Sequence, residues 1–475
     1  MKKQLSPSDP VPALAYNVPR ELLARYAKAG PRYTSYPTAP IWSENFGPDQ
    51  ARSLYQGNNP AGSTRPLALY FHIPFCTSMC WYCGCNVKIS RSKAVSAPYL
   101  RALDQELGLM APHLAPGREI TQMHWGGGTP TFLSPEQIEQ LVGMVSRRWR
   151  FAAGAELSIE VDPRVTTVEH LQALSRCGFK RLSMGVQDFN EKVQRAVHRV
   201  QGFEATADLI TAARRLGFTS INVDLMYGLP YQTVDSFAAT LGQVRALSPD
   251  RLALFHYAHV PWLKPGQKLL RPETLPDSDT KLAIFELAID ELMGQGYRYI
   301  GMDHFARPDD ELALAQQQHS LRRNFMGYTT QAGTDLYGFG VTAISEIDGH
   351  FVQNARELED YQARVGQGEL PVARGLILGP DDHLRKHVIE QLICNGYLDF
   401  DAVARRFGIE FDAYFAAELS ASEALAADGL IALRSGSLSV LPRGQILMRN
   451  VCMIWDAYLR RQAPGAPSPL FSRTA

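Results

Sequence analysis

The sequence predicts an α/β fold built on a parallel sheet, and three observations carry that expectation. Short apolar runs alternate with helical patterns six times between Leu67 and Pro261, the signature of consecutive βαβ units. Chemically suggestive residues gather where these runs end. Four cysteines follow the first run, glycines follow the second, Glu160 and Asp162 come late in the third, Gln187 ends the fourth, and Asp224 lies within the fifth. Open doubly wound sheets and partial barrels both place ligands at the carboxyl ends of their strands, so the pattern leaves these two topologies open.

The elements follow in order. LALYFHIPF (Leu67–Phe75) is the first strand, and APYLRALDQELGLM the first helical pattern. QMHWGGGTP is a strand ending in glycines. Ser134 then stands as an N-cap, with Pro135 at the first helical position and Gln137 completing a capping box. ELSIEVDP and TVEHLQALSRCG form the third pair, RLSMGVQ and FEATADLITAARRLG the fourth, and SINVDLMYGLP and TVDSFAATLGQVRAL the fifth. RLALFHYAHVP is the sixth strand.

Residues 1–60 read as an N-terminal arm, with one short helix near Glu21–Ala29 and a proline-punctuated stretch, GPRYTSYPTAPIW, that is extended or turn-like. Residues 61–298 hold the alternating core. Residues 299–375 read as an extension of it, polar and partly helical after 346. Residues 376–475 form a mainly helical C-terminal domain, broken by LIALRSGSLSVL, two short strands around a Ser-Gly-Ser turn.

The 475 residues are 45% apolar and 20% charged with a formal net charge of zero. No global field therefore draws the chain to nucleic acid or to an anionic membrane. The N-terminus lacks the apolar stretch of a secretory signal, and no apolar run reaches the ~18 residues of a membrane span. Seven cysteines, sparse and odd in number, fit a reducing cytoplasm. Cys177, Cys394 and Cys452 sit in apolar helical patterns and read as packing residues.

The other four cysteines crowd into FCTSMCWYCGC, at Cys76, Cys80, Cys83 and Cys85, with spacing C-x3-C-x2-C-x-C. Structural zinc usually takes two separated knuckles. A continuous run suits iron–sulfur ligation better, and C-x3-C-x2-C suggests three ligands with one iron left open.

That spacing after a first strand, with Tyr82 before the third cysteine, resembles the radical S-adenosylmethionine enzymes. YFHIPFC…CWYCGCN resembles, within them, the oxygen-independent coproporphyrinogen III oxidases, as do GPRYTSYPTA, HWGGGTPTFL, IEVDPR, SMGVQDFN, NVDLMYGLP, GMDHFARPDDELA and RNFMGYTTQ. The resemblance spans nearly the whole chain. It implies a partial (β/α)6 TIM-like radical S-adenosylmethionine barrel. It further implies that Cys76, Cys80 and Cys83 hold a [4Fe–4S] cluster whose fourth iron chelates S-adenosylmethionine.

By the same resemblance, Gly127, Gly128, Thr129, Glu160, Tyr70 and Ile344 contact that cofactor. Gln187, Arg199 and Asp224, with Tyr82 and Ala258, bind a second S-adenosylmethionine. Two features stand apart from the resemblance: Glu160 and Asp162 alternate with Val161 and so share a face, and Asp224 in an apolar strand needs a polar or cationic partner. Cys85 is the extra thiol, either a packing residue beside the cluster or a catalytic hydrogen-atom or redox participant. His72 and His304 read as structural histidines.

The implied reaction converts two propionates of coproporphyrinogen III to vinyl groups, with an electron donor such as flavodoxin or ferredoxin. A monomer is expected, without nucleic-acid or membrane partners. A tetracarboxylate substrate calls for arginine forks and aromatics, and Arg32, Tyr33, Arg322 and Arg323 are the candidates. Two other readings compete. One is a haem-binding chaperone of a sister family, which typically lacks the fourth cysteine and the RYTSYP arm. The other is a winged-helix DNA reader in the tail, which the three arginines of Gly429–Val451 support poorly.

Overall fold

The computed structural model describes residues 13–60 and 62–461; residues 1–12 of the expected arm lie outside the described residues. The chain divides into two compact units. One comprises Ser43–Leu287 and Gly333–Ile377, the other the chain up to Trp42, Ala288–Ala332 and the chain from Leu378.

In the first unit, β1 (Leu67–Ile73), β2 (Glu119–Gly127), β3 (Arg150–Val161), β4 (Arg181–Gln187), β5 (Ser220–Tyr227) and β6 (Arg251–His256) pair in sequence, each parallel to the next. Between them run α1 (Ser96–Met110), α2 (Pro135–Ser146), α3 (Val168–Arg176), α4 (Phe203–Arg215) and α5 (Val234–Leu247). This is the partial (β/α)6 barrel, and it decides between the two topologies. β1 is buried at every position except Tyr70, which is half-buried. Strands of a parallel sheet are covered on both faces and so read as continuous apolar runs. The α2 capping box forms as the sequence predicts: Ser134 Oγ accepts from Gln137 N at 3.3 Å, and Gln137 Oε1 accepts from Ser134 N at 3.1 Å.

The part of the expected extension that belongs to this unit, from Gly333, holds four strands, where the sequence predicts a polar, partly helical stretch after 346. β7 (Asp335–Phe339) pairs in parallel with the free edge of β1, and β8 (Ile344–Ile347), β9 (His350–Asn354) and β10 (Val372–Leu376) continue antiparallel. Of the expected helix, Leu358–Gly366 is present. β7 was illegible because it opens on a charge and contains glycine. Its Asp335 is paired with Arg118 at 2.5 Å, the two side chains only 1% and 0% exposed, so the charge is carried inside the fold.

The second unit holds the helix Arg20–Tyr26 and, from Leu378 onward, helices Pro380–Asn395, Phe400–Phe407 and Ala416–Ala427. The predicted hairpin is present as Ile431–Arg434 and Ser437–Val440, joined by a third strand, Tyr397–Asp399. Val18, Leu22, Tyr33 and Tyr36 share one apolar core with Leu392 and Trp455. The expected arm thus divides at Trp42, and the expected extension at Ala332, because these aromatic residues bury against the C-terminal helices. Cys394 and Cys452 are fully buried in this core, and Cys177 packs at the edge of the barrel core. No helix among the described residues is long and apolar enough to cross a membrane.

Candidate active site

The cysteine loop leaves the end of β1, where Phe75–Cys76 forms a two-residue parallel ladder with Lys88–Ile89. Cys76 Sγ lies 3.4 Å from Thr129 Oγ1, and burial pushes the Cys76 thiol up to about 11. Cys80 Sγ accepts from Arg164 Nη2 at 3.5 Å and Arg199 Nη1 at 3.7 Å. Cys83 Sγ accepts from Cys85 N at 3.4 Å. Its hydrogen bond with the Cys85 thiol lowers Cys83 to about 6, with Lys264 and Arg199 adding positive charge. The same hydrogen bond, with burial, drives Cys85 well up. The shared hydrogen bond thus moves the two neighbouring thiols in opposite directions.

The glycines after β2 form a close cradle. Gly128 N donates to Ile73 O and Thr129 N to Phe75 O, both at 2.8 Å. A Cβ on Gly128 would lie 2.8 Å from the Pro74 carbonyl carbon, and one on Gly127, where φ is +109°, would lie 2.5 Å from the His72 ring. Only glycine fits where backbone passes this close. Gly127 N donates to Glu160 Oε2 at 3.0 Å. Burial works against the Glu160 charge, but His124 and Gly127 N together hold the carboxyl below its ordinary range. Tyr70 stacks on His124 with ring centroids 6.1 Å apart. Its register partner is Gly338, against which the backbone of Ile344 packs, so Tyr70 and Ile344 lie in one sheet on strands separated by β7 alone.

A second cluster lies beyond β3. Asp162 lies one residue past the end of β3 and engages partners other than those of Glu160. It takes Arg164 Nη2 at 2.6 Å and Arg199 Nη1 at 3.3 Å. Arg199 Nη2 reaches Gly185 O at 2.5 Å. Gln187, at φ +68°, ends β4 nearby. Asp224 accepts from Asn222 Nδ2 at 2.7 Å, and burial together with the Glu160 charge pushes it up to about 7. Gln267 joins Tyr82 and Ala258, its Nε2 donating to both carbonyls at 3.2 Å.

Of the sequence candidates, the structure gathers Cys76, Cys80, Cys83, Cys85, Tyr82, Gly127, Gly128, Thr129, Glu160, Gln187, Arg199 and Asp224 in the first unit. Arg164, His124 and Gln267 were missed. The DPR triplet carried the only signal for Arg164, two residues past Asp162. His72, bonded to Tyr70 and to Asn86 O, and His304, bonded to Met302 O, have the satisfied partners of structural residues.

The substrate candidates belong to the second unit and separate there. Tyr33, 4% exposed, donates to Asp456 at 3.0 Å, and Arg322 lies 3.6 Å from Glu390. Arg32 pairs with Asp303 at 3.0 Å.

The lining fits an iron–sulfur cluster with an amino-acid-like cofactor. The charges of Cys80 and Cys83 act on the Cys76 thiol, and cationic donors stand at Cys80. Gln187 Oε1 and Arg199 Nε are buried with no partner. Such atoms call for a ligand. Among the described residues no three His, Cys, Asp or Glu side chains converge as on a single ion; cubane thiolates each hold a separate iron and stand farther apart.

Comparison with known proteins places these features. The model of the Radical SAM superfamily matches residues 70–244, and that of the HemN C-terminal domain residues 378–447. The oxygen-independent coproporphyrinogen III oxidase of Salmonella typhimurium is 48% identical over 442 residues, 93% of this chain and 96% of the relative. Its counterpart in Escherichia coli K12 gives the same figures, and that of Helicobacter pylori J99 is 43% identical over 93% and 96%. The solved structure of coproporphyrinogen III oxidase (HemN) from Escherichia coli, described as a radical SAM enzyme, superposes with a TM-score of 0.87 at 47% identity, over 90% of this chain and 97% of that one. The chain belongs to the oxygen-independent coproporphyrinogen III oxidases of the radical S-adenosylmethionine superfamily.

Proposed function

We propose that this chain decarboxylates two propionate side chains of coproporphyrinogen III to vinyl groups without oxygen, giving protoporphyrinogen IX for haem biosynthesis. The observation that carries this reading is the three-cysteine loop of β1 facing the glycine cradle of β2. Cys76, Cys80 and Cys83 hold a [4Fe–4S] cluster, and Gly127, Gly128, Thr129, Glu160, Tyr70 and Ile344 seat S-adenosylmethionine. When bound, those groups would supply one-electron radical chemistry able to abstract hydrogen from the substrate.

The protein orients these groups and excludes water. The backbone at Gly127–Thr129 approaches its ligand without side-chain interference. Glu160, kept ionised by His124 and Gly127 N, would accept a hydrogen bond from the amino group of the cofactor's methionyl end. Arg164 and Arg199 place positive charge beside the Cys80 sulfur, and hydrogen bonds and charge at the thiolates tune cluster potential. Gln187, Arg199 and Asp224, with Tyr82 and Ala258, form the place for a second S-adenosylmethionine. Cys85 holds a proton next to Cys83 and is the candidate hydrogen-atom or redox participant. The enzyme works as a cytoplasmic monomer with a small one-electron donor such as flavodoxin or ferredoxin.

Anaerobic reconstitution with iron and sulfide tests this. The EPR signal of the reduced cluster should shift on adding S-adenosylmethionine, and coproporphyrinogen III should lose two molecules of carbon dioxide. Cys76→Ala, Cys80→Ala and Cys83→Ala should each lose the cluster, whereas Cys85→Ala should retain it. A cluster spectrum indifferent to the cofactor would refute the reading.

A further inference from the structure

The second unit concentrates positive charge around one carboxylate. Asp303 receives Arg32 Nη2 at 3.0 Å, and Arg323 and Arg449 also act on its charge. Arg449 is anchored one step upstream of Arg32: its Nε donates to Pro31 O at 3.0 Å and its Nη2 to Gly30 O. Arg323 lies over the Tyr328 ring, 5.2 Å from its centroid. Arg32 thus pairs with Asp303 directly, and the charges of Arg323 and Arg449 stand close enough to act on the same carboxylate.

Two further facts set this cluster apart from an ordinary ion-pair network. First, Arg323 Nε and Nη1 are buried and make no hydrogen bond. Guanidinium N–H groups are strong donors that cannot be neutralised by losing a proton, and leaving them unmet is expensive. Second, the backbone is strained on both sides. Tyr33, Met302 and Asp303 all have positive φ, +48°, +44° and +73°, in a region that non-glycine residues rarely occupy and that gathers at ligand clamps. Burial also lowers the Arg449 guanidinium to about 10, with Arg32 repelling it. The unmet donors of the cluster are those of Arg323.

We propose that Arg32, Arg323 and Arg449 form a carboxylate-binding subsite, taking the propionate groups of the tetrapyrrole in place of the partners that Arg323 lacks. This rests on the tetracarboxylate substrate assigned above and adds where its anionic groups are held. An ionised carboxylate matches the guanidinium fork with two parallel hydrogen bonds. Asp303 fixes Arg32 and keeps part of the charge balanced when the subsite is empty. Tyr33 and Arg322 do not belong to it, since Asp456 and Glu390 engage them.

The test uses coproporphyrin III, the unreactive oxidised tetracarboxylate, and its tetramethyl ester, in which every carboxylate is blocked. Each is titrated into reconstituted protein by fluorescence quenching. Wild type should bind the free acid at least tenfold more tightly than the ester. Arg323→Met should erase that preference by weakening the acid about tenfold or more and the ester little. Arg323 Nε and Nη1 make no hydrogen bond to lose, so the variant should still fold, its unfolding midpoint lowered only by the lost contact with the Tyr328 ring. Arg32→Met should weaken the acid in the same direction. Equal binding of acid and ester by wild type, or an Arg323→Met protein that keeps the preference, would overturn the subsite. Failure of decarboxylation with the preference intact would instead defeat the assigned reaction and leave the subsite standing.

Discussion

Arg164 grips Asp162 with Nε at 3.0 Å from Oδ1 and Nη2 at 2.6 Å from Oδ2, and turns the same Nη2 toward Cys80 Sγ at 3.5 Å. One guanidinium therefore serves the carboxylate that ends β3 and the middle cysteine of the cluster loop. Removing it leaves Asp162, whose side chain is 11% exposed, with Arg199 at 3.3 Å. Arg164→Met should destabilise the cluster-free protein by about 2–4 kcal/mol, read from urea unfolding. It should also make the reconstituted cluster harder to reduce, read by EPR redox titration. A potential unchanged from wild type would show that Arg164 acts on Asp162 alone.

The Arg118–Asp335 pair ties β7 to the chain ahead of β2. Arg118 Nε also donates to Arg65 O at 2.7 Å, and Asp335 Oδ1 accepts from Asp348 N at 2.9 Å. Breaking a pair this enclosed strands the remaining charge, so Arg118→Met should cost about 3–5 kcal/mol. Arg118→Met with Asp335→Leu should recover part of that loss. A double variant no better than the single one would mean that packing, not charge, dominates.

Glu106 is buried at 2% exposure. Its carboxyl accepts from Gly340 N at 2.8 Å, Tyr361 OH at 2.7 Å and Asn354 Nδ2 at 2.6 Å. Burial outweighs these donors and raises it from 4.5 to about 7. The folded state then holds a proton that the unfolded state has released. This contribution is complete below about pH 4.5 and is lost as pH rises through about 7, a loss on the order of 3 kcal/mol. Urea unfolding of wild type and Glu106→Gln across that window should differ by a slope present only in wild type. Parallel curves would contradict the assignment.

Asp224, raised to about 7, gains its charge across the neutral range. A bound cationic sulfonium favours the ionised carboxylate, so binding releases a proton. Affinity for the proposed second S-adenosylmethionine should rise by up to about tenfold per pH unit below pH 7 and level off above it. Calorimetry between pH 6 and 8 should show this in wild type and a flat profile in Asp224→Asn. A slope that survives the substitution would assign it to another group.

The parallel alternation, the Ser134 capping box, the hairpin around Gly436 and the three-cysteine spacing were legible because each is a local pattern of a few residues. Glu160, Gln187, Arg199 and Asp224 were reached through motif resemblance; strand periodicity alone left Arg199 as readily a surface helix residue. His124 and Gln267 gave no signal, since their partners lie 34 or more residues away or on backbone carbonyls. Arg164 showed only as a neighbour of Asp162.

The sequence by itself determined the chemistry, because cluster ligation depends on cysteines placed within one short loop. It also determined the succession of strands and helices, which hydrophobic period encodes. Only the tertiary structure decided that the sheet continues past β1 into β7–β10 and that the aromatic arm divides at Trp42. It alone showed that Glu160 and Asp162 serve different partners, and that Arg32 pairs with the distant Asp303. Each of these depends on long-range burial of charge or aromatic surface, whose cost is set by the neighbours that fold around it.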